Sequence, residues 1–285
     1  MYDLEPVARA ICHAKNYAFV RGIGKGSFKE TFFINNESAE EEALKVFKEG
    51  RLNAERITRE IDAMVRCRHP NVVNLKEVST FEFNHKTYLY LIEEFLAGGT
   101  LTERIKSGGL SDKDIIEMGS MLIDAIAHIA SHNLVHRDIK PDNILFRADK
   151  ITPVLVDFGV VRDLSEYSLT PSWAMSGPGT PFFAAPEQLN NEKDLIDWRT
   201  DQFSLGIVLS FCILGQHPYK YPNDTSEDTI NRVLRRESLY PDMIHKLTIR
   251  GFQTLIVMSS PWPVERYRTP VQLLKAWSEL KGVVQ

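Results

Sequence analysis

Two features near the start of the chain have residue types suited to holding phosphate. Ile23-Gly24-Lys25-Gly26-Ser27-Phe28-Lys29 lies between two β-prone runs, and its glycines let backbone N–H groups come close to phosphate oxygens. Further on, Lys45 sits in the apolar run Ala43-Leu44-Lys45-Val46, where a lysine is costly to bury unless it meets anions. Glu60, in the helical segment that follows, is a candidate partner. Each feature also has an ordinary reading. The glycines could form a plain hairpin, and the lysine could snorkel to water while the glutamate stays solvated.

A second stretch carries more information. Val135-His136-Arg137-Asp138-Ile139-Lys140-Pro141-Asp142-Asn143-Ile144-Leu145 is followed by Asp157-Phe158-Gly159, which closes the apolar run Val154 to Val156. Together with the glycine loop, the strand lysine and Ala185-Pro186-Glu187, these segments resemble, in order and over nearly the whole length, the eukaryotic-type serine/threonine protein kinase superfamily.

The resemblance implies ATP and magnesium as cofactors and a protein as substrate. In phosphoryl transfer, positioning and electrostatics dominate. Lys45 would hold the α and β phosphates and be held by Glu60, while Asp157 and Asn143 would take magnesium. Asp138 would orient the substrate hydroxyl and accept its proton, and Lys140 would stabilise charge on the γ-phosphate. Ile23, Gly24, Gly26, Lys29 and Thr31, with the hinge residues Glu94 and Leu96, would surround the nucleotide. Gly179-Thr180-Pro181 resembles the end of the family's activation segment, with Thr180 near Asp138 and Lys140. Glu187 would pair with Arg266, and Asp201 would hold the catalytic-loop backbone as a structural support.

The chain departs from the family at several positions. Lys29 stands where a third loop glycine is usual and Thr31 where valine usually covers adenine, so the roof over the nucleotide is more polar. Because Lys45 is retained, Lys29 is auxiliary or solvent-facing. Glu93 falls at a position that is normally apolar or threonine, and a carboxylate there is expensive without a partner. Either it finds a cation such as Lys45, competing with Glu60, or the strand register differs by one residue.

The elements that must position these groups can be read from the pattern. Tyr17 to Val20, Thr31 to Ile34, Leu44 to Phe47, Asn74 to Val78 and Thr87 to Ile92 are β-prone, and Arg51 to Cys67 has apolar residues at helical spacing, closed by Pro70. The expectation is an α+β, bilobal fold in a single kinase domain over 1–285. A small antiparallel sheet with one helix would occupy residues 1–94, and a larger, mostly helical lobe residues 95–285, with the boundary in Glu94 to Gly99. Ser111 and Asp114 announce a helix whose face is Ile115, Met118, Leu122, Ile126 and Ile129.

Composition sets outer limits. At 285 residues, with 43% hydrophobic and 25% charged residues, the chain is globular in type and long enough for two packed units. A formal charge of −4 offers no long-range attraction to nucleic acid or an anionic membrane, and neither is expected as a partner; the oligomeric state stays open. Asp3, Glu5, Lys15 and Arg21 interrupt any apolar core of a signal peptide. Leu205 to Gly215 is too short to span a bilayer and reads as a buried helix. Cys12, Cys67 and Cys212 form no C-x-x-C pair, which suits a reducing cytoplasm. His69, His128, His132 and Cys67 have no metal-site spacing and are expected to pack or cap.

Two other readings stay open: a pseudokinase scaffold, and a small-molecule kinase, which Lys140 with the Thr180 and Glu187 segments disfavours. Ser176 stands where the family's activating phosphosite usually falls, with Arg137 and Arg162 as candidate phosphate ligands and Ser165, Ser168, Thr170 and Ser172 as competing acceptors.

Overall fold

The computed structural model describes residues 3–26, 28–48, 61–62, 64–157, 162–163 and 180–280. The chain divides into two compact units, the first of residues 1–68 and 73–97, the second of residues 69–72 and 98–285.

In unit 1 the five β-prone runs extend into β1 (Ala18–Lys25), β2 (Lys29–Asn35), β3 (Glu41–Phe47), β4 (Leu75–Phe83) and β5 (Lys86–Glu94). They form one antiparallel sheet in the order β1-β2-β3-β5-β4. Side chains alternate across such a sheet. Phe32, Ile34, Leu44, Val46 and Ile92 are buried together on one face. That face is covered by α1 (Glu5–Ala14) through Val7, Ala8, Ile11 and Cys12, with Leu4 just before it. These positions follow the i, i+3, i+4, i+7 spacing of an amphipathic helix.

The sequence assigns this unit one helix, and α1 is a correction to that expectation: an apolar sheet face has to be buried against another layer. Of the expected helix over Arg51 to Cys67, residues 61–62 and 64–66 are helical, and residues 51–60, Glu60 among them, lie outside the described residues. The opposite sheet face carries Ala43 and Lys45 of β3 with Leu91 and Glu93 of β5, which stand opposite each other in register.

A buried carboxylate ties α1 to the glycine hairpin. Glu30 of β2 is fully buried and accepts the backbone N–H groups of Asp3 and Leu4 at 3.3 and 3.0 Å. Lys25 Nζ and Lys48 Nζ lie 3.6 and 3.7 Å from the same carboxylate. Lys25 also reaches Asp3 at 3.1 Å, and Lys48 donates to the carbonyl of Gly26 at 2.9 Å.

Unit 2 contains α2 (Leu101–Lys106), α3 (Asp112–Ser131), α4 (Pro186–Leu189), α5 (Trp198–Leu214), α6 (Ser226–Leu234), α7 (Pro241–Ile249), α8 (Gln253–Met258) and α9 (Pro270–Leu280). Two short pairs complete it: β6 (Leu134–Val135) with β9 (Arg162–Asp163), and β7 (Ile144–Phe146) with β8 (Pro153–Leu155). Helix α3 begins as the sequence expects: Ser111 Oγ accepts the N–H of Asp114 at 3.2 Å, and Asp114 accepts that of Ser111 at 3.1 Å. Helix α5 is buried along most of its length and stops at Gly215, whose φ of 71° is left-handed. Among the described residues no helix is long and apolar enough to cross a membrane.

Along this part of the chain the division between the units falls between Ala97 and Gly98, and Gly98 belongs to unit 2 by its hydrogen bonds. Gly98 N–H donates to Phe146 O and Phe146 N–H to Gly99 O, each at 2.9 Å. Residues 69–72 join unit 2 by a similar route: Leu155 N–H donates to Asn71 O at 2.9 Å, and Asn71 Nδ2 donates to Pro153 O at 2.7 Å.

Replacing Glu30 by Ala strips two N–H groups and two lysines of their shared acceptor. Equilibrium urea unfolding should register a loss of about 2 kcal/mol, with Glu30→Gln losing less.

Candidate active site

Asp138, Asn143 and Asp157 come together in unit 2. Asp138 is buried, at 8% exposure. Lys140 Nζ donates to both of its carboxylate oxygens at 3.1 and 2.9 Å. Asn143 Nδ2 donates to its carbonyl and to its Oδ2, each at 2.8 Å. Burial pushes the Asp138 carboxyl above the usual carboxylate range; Lys140 and Asn143 pull it down, and the negative charge of Asp157 adds to the rise.

The backbone beneath this cluster is held by buried side chains from α5 and α4. Asp201 accepts the N–H groups of His136 and Arg137 at 2.7 and 2.8 Å. Arg137 adopts a φ of 68°, and a left-handed residue lets successive N–H groups converge on one anion. Gln188 Nε2 donates to Arg137 O at 2.6 Å. His136 Nδ1 accepts the N–H of Asp138 at 3.3 Å, so the ring proton sits on Nε2, which donates to Val156 O at 3.2 Å. Burial holds His136 below its ordinary pKa, so the imidazole is neutral and serves as a strut.

Asp157 reaches the cluster through the β7/β8 pair. Val156 N–H donates to Asn143 O at 3.0 Å, which continues the pairing beyond Leu155, and Asp157 then turns away with a φ of 71°, a conformation uncommon for a residue with a side chain. Since Asn143 spends its amide N–H groups on Asp138, its Oδ1 is the atom left for a cation. Asn143 Oδ1 and the Asp157 carboxylate are hard oxygen donors. Two such ligands fit magnesium, which keeps waters and substrate phosphates in its shell. Among the described residues no three His, Cys, Asp or Glu side chains form a metal cage.

In unit 1, Lys45 Nζ lies 2.7 Å from Glu93 Oε2, with the two side chains 10% and 3% exposed. Glu60, the partner expected from the resemblance, lies outside the described residues. Of the two possibilities for Glu93, the ion pair with Lys45 is the one observed. In the glycine hairpin, Gly24 stands opposite Thr31 and the register slips between Gly22 and Gly24, leaving Ile23 as the extra residue. Gly26 N–H donates to Lys29 O at 2.9 Å, so this N–H closes the turn. Lys29 stands opposite Phe47 in β3, with Nζ 5.5 Å from the centre of its ring. Glu94 braces the start of β4: its carboxylate accepts Asn74 N–H at 2.9 Å, and its own N–H donates to Asn74 O at 3.0 Å. Leu96 is buried.

Glu187 and Arg266 pair as the resemblance implies. The contact is bidentate at 2.7 and 3.0 Å between fully buried side chains. The other arginine N–H bonds go to the carbonyls of Ser260, Arg199 and Pro261, and Thr200 Oγ1 donates to Glu187 Oε1 at 2.9 Å. All five guanidinium donors are thereby used.

Phe158, Gly159, Ser176 and Gly179 lie outside the described residues, while Thr180 begins a short 3-10 turn, Thr180–Phe183. His69, His128 and His132 pack as a row, with ring centres 5.2 and 4.6 Å apart, and His69 Nε2 lies 3.1 Å from Asp124. Two supports escaped the sequence reading. Gln188 directly follows Glu187, a position that pattern alone does not mark, and Glu30 looks like any polar residue of a half-exposed strand.

Comparison with known proteins gives a consistent set of similarities. The family model described as the protein kinase domain matches residues 17–255. Serine/threonine-protein kinase SRK2A of Physcomitrium patens is 32% identical over 251 residues, covering 86% of this chain and 69% of that protein. CBL-interacting serine/threonine-protein kinase 26 of Arabidopsis thaliana is 32% identical over 270 residues, 92% of this chain and 58% of that protein. Calcium-dependent protein kinase 5 of Plasmodium berghei is 32% identical over 224 residues, and the match spans 76% of this chain but only 37% of that kinase.

Breaking a buried ion pair from one side strands the other charge. Glu187→Ala should therefore lower the unfolding free energy by about 3–5 kcal/mol, read by denaturant unfolding. Pairing Glu187→Gln with Arg266→Met should recover part of that loss.

Proposed function

The chain belongs to the protein kinase family, and from that premise we propose that it transfers the γ-phosphoryl group of ATP, with magnesium, to serine or threonine hydroxyls of a protein substrate. The observation that carries this reading is the buried Asp138 carboxylate, bonded at once by Lys140 and Asn143 on a backbone anchored by Asp201. Magnesium, when bound, would neutralise charge on the phosphate oxygens. Asn143 and Asp157 would hold it.

Each residue then has a task set by its own chemistry. The Lys45 ammonium binds the α and β phosphates. Asp138 takes a hydrogen bond from the acceptor hydroxyl, orients it for in-line attack and receives its proton. Lys140, bonded to Asp138, keeps a positive charge beside the transferring group. The fixed loop keeps reorganisation small when charge shifts, the condition under which electrostatic stabilisation is most effective.

A serine/threonine acceptor is favoured by the sequence Asp138-Ile139-Lys140-Pro141-Asp142-Asn143 and by the names of the relatives. A scaffold without turnover is disfavoured by the presence of Lys45, Asp138, Asn143 and Asp157 together. A cytoplasmic location is consistent with three free thiols. Burial pushes those of Cys12 and Cys67 up to about 11 and that of Cys212 up to about 12, which leaves them unreactive.

Labelled ATP, magnesium and generic protein substrates should yield phosphoserine or phosphothreonine. Lys45→Ala and Asp157→Ala should each lower the rate by about a hundredfold or more with an unchanged circular dichroism spectrum. Wild-type turnover in either variant would sink the assigned roles, and nucleotide binding without turnover in the parent chain would favour the scaffold.

The base must be ionised to accept a proton, so activity falls as pH drops through the pKa of Asp138. That pKa is raised, which puts the acid limb above the range of a free aspartate. Lys140 holds it down, so Lys140→Met should move the limb to higher pH, measured as kcat/KM against pH.

A further inference from the structure

We propose that Glu93 is a positioning residue for Lys45, holding the ammonium in place for the nucleotide phosphates from within the sheet. This is the task that the family resemblance gives to Glu60, and the inference rests on the proposed function.

The argument begins with register. Strands β3 and β5 are interior strands of the sheet, paired as Ala43 with Glu93 and Lys45 with Leu91. These four residues share a face, and Glu93 and Lys45 are diagonal neighbours across it, within reach of long side chains. A slip of one residue would turn Glu93 to the other face, but five paired positions from Glu42–Glu94 to Val46–Tyr90 hold the register. The carboxylate therefore meets the lysine wherever β3 and β5 are formed.

The energetics give Glu93 little reason to be there for stability alone. A buried ion pair seldom beats apolar residues of the same volume, because both charges lose their hydration. Here the Lys45–Glu93 distance is 2.7 Å with both side chains at or below 10% exposure. The other carboxylate oxygen, Oε1, makes no hydrogen bond among the described residues, so the contact with Lys45 is the polar interaction that accounts for the carboxylate. An ammonium has three donors. One engaged by Glu93 leaves two for phosphate oxygens, and the side chain is held in one rotamer before the nucleotide arrives, which reduces the ordering cost of binding.

The test uses Glu93→Gln, Glu93→Met, Glu60→Gln and Lys45→Ala in the full chain. Affinity is measured with a fluorescent ADP analogue and magnesium, and acylation of Lys45 in nucleotide-free protein by peptide mass spectrometry. The Gln and Met variants should stay folded but melt at a lower temperature, because breaking the pair from one side strands the Lys45 ammonium. They should acylate Lys45 faster, because its amine is no longer engaged, and bind nucleotide about tenfold or more weakly, a larger loss than in Glu60→Gln. KM for ATP should rise more than kcat falls. A residue that merely filled space would be replaced by Met with no change in affinity. Unaltered affinity in both Glu93 variants while Lys45→Ala loses binding, unaltered acylation, or a larger loss in Glu60→Gln would each overturn the inference and leave the kinase reading standing. Parental nucleotide affinity in Lys45→Ala would overturn that reading of Lys45, and the inference with it.

Discussion

The loop that carries Asp138 depends on one buried carboxylate. Asp201, on a helix that is buried nearly all round, accepts two consecutive backbone N–H groups at 2.7 and 2.8 Å, and this is possible because Arg137 takes a left-handed conformation. Everything that bears on Asp138 follows from that grip. His136 is set with its Nδ1 toward Asp138 N–H, its other nitrogen reaches Val156 O, and Val156 N–H reaches Asn143 O. A chain of single hydrogen bonds thus links the loop holding Asp138 to the strand end holding Asp157. The strained backbone at Arg137 and Asp157 is sustained because neighbouring bonds leave it no alternative.

The same rule, that a buried charge must meet a partner, governs the rest of the molecule. Glu187 and Arg266 pair in a bidentate contact, with three carbonyls and Thr200 taking their remaining bonds, and so brace the segment that carries Gln188 under Arg137. Glu30 gathers two N–H groups and two lysines, joining the first helix to the tip of the glycine hairpin. Lys45 and Glu93 meet in the sheet. In each case the charged residue connects elements that are separate along the chain.

Much of this was legible in the sequence, because some constraints act locally. Asp138, Lys140 and Asn143 are close together along the chain and converge wherever that loop turns. Ser111 caps its helix because Asp114 is three residues away, and β-prone runs marked all five strands of the sheet. The Glu187–Arg266 pair and the hold of Asp201 were implied by the family resemblance, since nothing in the spacing of such distant residues announces a contact. What the sequence by itself determined was therefore the identity of the chemistry-bearing groups and the local elements that carry them. Only the tertiary structure decided which long-range partner each charge meets. Helix α1 had the periodicity of a sheet cover, yet its role became visible only with Phe32, Ile34 and Leu44 beneath it. Glu93 could have faced either side of the sheet; the β3–β5 register turned it toward Lys45. The physical reason is that the side-chain period of a strand is two, so one residue of register determines whether a carboxylate meets a cation or the opposite face.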